Sequence, residues 1–128
     1  MKAFLPLLTL GLLAAPAAAQ QPQRPTMTLE QQMMVRCSAV FAVVAGDQAR
    51  GVPSARAYPP IAQRGKEFFV RSNARLMDDL NLTREQVQDL MNTEAKTIQT
   101  RSKEDHDPAA YLDGLMKPCL SALDASGL

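Results

Sequence analysis

The chain has 128 residues, 46% of them hydrophobic, which suits one small globular domain and excludes collagen-like, mucin-like and fully disordered classes. With 14 Lys and Arg against 13 Asp and Glu, it lacks the basic excess that non-specific nucleic-acid binding requires. One His, two Cys and no Trp leave little material for most familiar catalytic or multi-metal sites.

Residues 1–19 have the pattern of a cleaved signal peptide. Lys2 precedes an apolar stretch, and Ala17 and Ala19 put small residues at the −3 and −1 positions before Gln20. The rival reading, a membrane anchor, needs about 20 continuous apolar residues, whereas this run is broken by Pro6, Thr9 and Gly11. No cysteine follows the run to carry a lipid, and no later stretch is long enough to span a bilayer. An exported protein is expected, periplasmic if the host has an outer membrane and secreted if it does not. Removing Lys2 leaves 13 basic and 13 acidic side chains.

Residues 20–27 are polar and punctuated by proline, which predicts a flexible tail ahead of a single helical domain over 28–126. Thr28 and Gln31 match a capping box. Leu29, Met33, Cys37, Val40, Phe41 and Val44 then recur at helical spacing. Helix 1 is placed at about 28–50 and, with Val35, Val43 and several alanines on its other face, should be the most buried element. Gly51, Pro53 and Ser54 read as loop, and Pro59-Pro60 as the start of a second helix over 60–80. Its face is Ile61, Gly65, Phe68, Phe69, Ser72, Leu76 and Leu80, with Gly65 and Ser72 small enough to admit a neighbouring helix, and Asn81 as a left-handed stop.

Thr83 and Gln86 form a second capping box, flanked by Leu82 and Val87 at the hydrophobic-staple positions, and open helix 3 over 84–105. Its apolar face, Val87, Leu90, Met91, Ala95 and Ile98, gives out before a polar second half that should be exposed and prone to fraying. Asp107-Pro108 supplies an N-cap and a first-position proline for helix 4 over 108–125, whose face is Tyr111, Leu112, Leu115, Met116, Cys119 and Leu123. Pro118 lies inside it, and its ring faces the carbonyl of Gly114, a residue that eases a kink. No segment alternates as a strand. The fold class expected is all-α: a small up-and-down four-helix bundle.

Cys37 and Cys119 fall in the middle of the apolar stripes of the first and last helices, so both point into one core and should be joined in an oxidising compartment. Closing a loop of roughly 83 residues contributes up to about 4.5 kcal/mol in the chain-entropy model. A redox or metal pair would want close Cys-x-x-Cys spacing, which is absent.

Candidate chemistry is sparse. His106 lies among Glu104, Asp105 and Asp107, but a lone imidazole falls short of the three or four convergent ligands of a zinc site, and Asp107 is already a cap. Met27, Met33, Met34, Met77, Met91 and Met116 fall mostly on core faces, and no haem-attachment motif accompanies them. Asp78 and Asp79 are adjacent on a helix and diverge, so no paired-carboxylate site forms. No enzyme, metal or cofactor is expected.

Charge placement is more informative. Residues 50–75 carry Arg50, Arg56, Arg64, Lys66, Arg71 and Arg75 against Glu67 alone, whereas 76–113 are predominantly acidic. Arg64, Arg71 and Arg75 share a sector of about 40° beside the apolar face of helix 2. This stripe is either a solvated face, neutralised by Glu67, Asp79 or the acids of helix 3, or a surface for an anionic partner. Three functional readings follow. The first is a non-catalytic exported protein that binds another protein or an anionic envelope component. The second is an acid-responsive periplasmic chaperone, since the chain is similar in size, compartment and crosslink to small exported acid-stress chaperones. The third is a carrier of a small ligand or cofactor.

Overall fold

Four α-helices and one 3-10 turn organise residues 24–128, the part of the chain that the computed structural model describes. In chain order they are α1 (Leu29–Ala49), the 3-10 turn (Pro53–Ala57), α2 (Ala62–Leu80), α3 (Arg84–Glu104) and α4 (Pro108–Ala125). The leader expected over 1–19 and the first residues of the expected tail lie outside the described residues.

The local starts follow from side chains that satisfy helix-end amides. Thr28 and Gln31 form a reciprocal capping box on α1, Thr83 and Gln86 do so on α3, and Asp107 accepts from the Ala110 amide at 3.0 Å on α4. Asn81 ends α2 at φ 51°, in the left-handed region that asparagine tolerates. The polar end of α3 stays helical to Glu104, where the Asp105 amide donates to the Arg101 carbonyl.

Two local expectations are corrected. Residues 53–57 form a 3-10 turn rather than open loop because Gln48, on α1, reaches across to it. Its Nε2 lies within hydrogen-bond distance of the carbonyls of Ala55, Tyr58 and Pro59, and its Oε1 accepts from the Ile61 amide. Those contacts carry Ala55 and Ile61 into the core. At the other end, Leu29 is 76% exposed instead of facing inward. Met27, folded back by the Gln32 Nε2 bond to its carbonyl, packs with Met34 at that end of the core, so the last tail residue is not free.

α1 is the pillar: α2, α3 and α4 each pack against it, while α2 meets α3 and α4 only sparsely. Glu30 pairs with Arg75, Phe41 meets Phe68 edge-on, and Gln48 holds Ile61, so α2 descends as α1 rises. The three-residue turns before α3 and α4 reverse the chain twice more, giving up-down-up-down order. Gly65 permits the close α1–α2 crossing, since a Cβ there would stand 3.1 Å from the Phe41 Cβ.

Two apolar clusters share α1. One gathers Cys37, Phe41, Val44, Ile61, Ile98 and Met116. The other, towards the α2–α3 corner, holds Val35, Leu76, Val87, Leu90 and Met91. The Cys37–Cys119 disulfide crosses the first cluster with Cα atoms 5.1 Å apart, and both cysteines are fully buried. The first and last helices are thereby joined as the sequence predicts.

Candidate functional site: two clefts beside the central helix

The arginine stripe resolves into two helix ties and one uncommitted guanidinium. Arg64 reaches α4: its Nε donates to the Leu128 carbonyl at 2.7 Å and its Nη2 to Asp124 Oδ1 at 2.6 Å. Arg75 reaches the start of α1, with Nη1 2.9 Å from Glu30 Oε1, and also meets Asp79 one turn on at 3.4 Å. Arg71 forms no ion pair among the described residues. Glu67, its expected neighbour, accepts from Gln63 instead, and no acid of α3 joins the stripe. Asp79 is the partner that helical spacing predicts, whereas Glu30 on α1 and Asp124 on α4 are brought in by tertiary packing that spacing does not encode.

Arg71, Ser72 and Arg75 face a cleft of about 400 Å³ where α2 lies against the start of α1 and the end of α4. Met34 and Phe68 give it apolar walls, and Glu30 supplies one acid, already held by Arg75. Ser72, 4% exposed, is the small side chain that α2 places beside Arg71 there. A guanidinium without a carboxylate, beside apolar walls, can accept an anionic group attached to an apolar body.

A second cleft, which the sequence reading missed, opens between α2 and α3. It has a volume of about 540 Å³, with Ala39 and Ala42 of α1 between the two helices, and Val70, Asn73, Ala74 and Arg84 among its other lining residues. Val70 stood outside the apolar face assigned to α2 and is 58% exposed. That displaced valine was the available signal. The Asn73 Oδ1 atom is shut off from solvent without a hydrogen-bond partner among the described residues.

Three titratable groups outside the two clefts' arginines are shifted by their surroundings. Burial pushes the Tyr58 phenol up, the Asp113 carboxylate adds to this, and Lys117 opposes it. Lys117 is itself pushed up, chiefly by its hydrogen bond to Asp113, at 2.6 Å. Glu85 is held below the usual carboxylate range, first by its own backbone amide and then by Thr83. His106 is 98% exposed, and among the described residues no group of three or more His, Cys, Asp or Glu is placed to hold a metal ion. No helix among the described residues is long and apolar enough to cross a membrane.

No family model, curated protein or solved structure matches the chain.

Proposed function

We propose that the protein is a non-catalytic, exported binding protein that engages a protein or envelope component through an anionic group, received at Arg71 in the α1–α2–α4 cleft. The observation that carries this reading is the division of labour in the stripe: Arg64 and Arg75 are committed to Asp124, Glu30 and Asp79, and Arg71 is not. An arginine left without a carboxylate beside apolar walls is poorly explained by stability alone, since even a formed surface ion pair contributes only about 0–1 kcal/mol. Export to the periplasm is supported by the leader pattern and by a buried disulfide, which persists in oxidising compartments.

The test is crosslinking and recovery of partners from the native envelope with the wild-type protein and with Arg71→Gln. The variant should recover the anionic partner poorly, and the salt sensitivity of recovery should fall with it. Equal recovery of the same partners by both proteins refutes the assignment.

A further inference from the structure

We infer that the α2–α3 cleft is a docking groove for a short amphipathic helix from another protein, one that carries a carboxylate on the edge of its apolar face to meet Arg84. This goes beyond the role proposed for Arg71, which lies in a different cleft and contributes nothing here.

The shape comes first. α2 and α3 each rest on α1 yet barely touch one another, so the space between them is an open trough rather than a closed chamber. Small-molecule sites usually enclose 70–90% of their ligand, which an open trough does not do, whereas a docked helix needs only one face covered. Ala39 and Ala42 on α1 and Ala74 on α2 are small side chains in a lining that also holds Phe69, Met77 and Met91, so a helix face can settle over the alanines at about the 8–10 Å axis separation of packed helices. Phe69 to Met77 along α2 covers about 12 Å, and Arg84 to Ala95 along α3 about 16 Å, at the helical rise, which is room for two to three turns of an occupant.

Chemistry then selects the occupant. Val70 is one of two large apolar side chains left prominently exposed among the described residues, and it stands on this trough. Arg84 is the single charged residue lining it, with no lining acid, and forms no ion pair among the described residues. It also occupies the first position of α3, where the helix dipole disfavours a cation, so its placement is not explained by helix stability. A carboxylate on the incoming helix would answer both the missing pair and the dipole. The other prominently exposed apolar side chain among the described residues, Leu29, adjoins Glu30, whose carboxylate is held by Arg75, so a second copy docking through Leu29 offers no free acid beside it.

The experiment uses the oxidised protein without its leader and labelled Ala/Leu helical peptides of about 12 residues, about three turns, identical except for Glu or Lys at one edge position near one end. Fluorescence anisotropy should show the Glu peptide binding at least about tenfold more tightly than the Lys peptide. Ala74→Trp, which fills the trough from an exposed position, should abolish binding. Val70→Asp serves as a second block if the tryptophan variant folds poorly. Arg84→Gln should erase the preference for Glu, while Arg71→Gln should leave both peptides unaffected, which separates this inference from the role proposed for the other cleft. Absence of binding, equal binding of the two peptides, or indifference to both blocking variants overturns the inference. So does self-association of the protein that the blocking variants abolish, because the occupant would then be a second copy.

Discussion

Gln48 shows how one side chain can decide a stretch of backbone that local composition reads as loop. Its amide serves three carbonyls and its oxygen receives the Ile61 amide, tying the 3-10 turn and the entry to α2 onto the end of α1. Gln48→Met keeps the length and the apolar stem while removing every one of those partners. Leaving part-buried backbone groups unpaired should cost about 1–3 kcal/mol in denaturant unfolding and should make the segment near Tyr58 more sensitive to protease. An unchanged midpoint would show that water replaces the amide without loss. The neighbouring Tyr58 gives a pH signature. Its folded-state value is raised, so the stability it contributes is present below its unfolded value and is lost as pH rises through the folded one. Lys117, also raised, acts in the same direction. The melting temperature should therefore fall on the alkaline side, with phenolate absorbance from Tyr58 emerging later than in free tyrosine. Tyr58→Phe should lessen the fall, and an early phenolate signal would contradict the assignment. Glu85, lowered and exposed, contributes above its unfolded value and loses that contribution as pH falls through the folded one.

At the scale of elements, what the sequence made legible was whatever is settled within a few residues. Thr28 with Gln31, Thr83 with Gln86, and Asp107 with Pro108 announce their helices because the bonds that make them span three positions or fewer. The apolar stripes placed Cys37 and Cys119 on facing surfaces for the same reason. The Arg64–Asp124 tie, in contrast, joins residues 60 positions apart, and no periodicity reports it. The open α2–α3 seam was hidden because an apolar stripe shows which face is buried but not how far apart two buried faces stand. The disulfide yields an element-scale expectation. Removing it by Cys37→Ala with Cys119→Ala should destabilise the fold by about 2–5 kcal/mol. In hydrogen exchange α4 should lose protection first, since the second apolar cluster binds α1, α2 and α3 without it. Uniform loss across all four helices would mean that the two clusters do not behave as separable units.

In the whole molecule, under the function proposed above, a pillar helix and its three neighbours divide their arginines between holding the fold and meeting a partner. Arg64 makes two hydrogen bonds to Asp124 and Leu128 at the end of the chain's last helix, and Arg71, which lines the cleft, is the residue proposed to meet a partner. Replacing all three arginines of the stripe at once would mix these roles, because Arg75 also ties α2 to the start of α1. The decisive measurement sets Arg64→Gln beside Arg71→Gln and records, for each, the melting temperature and the recovery of the envelope partner. Arg64→Gln should lower the melting temperature by a few degrees, about what a loss near 1 kcal/mol produces in a domain of this size, and should keep its partner. Arg71→Gln should melt like the wild type and lose the partner. If Arg71→Gln melts earlier and recovers the partner in full, the division of roles is wrong and the stripe serves the fold throughout.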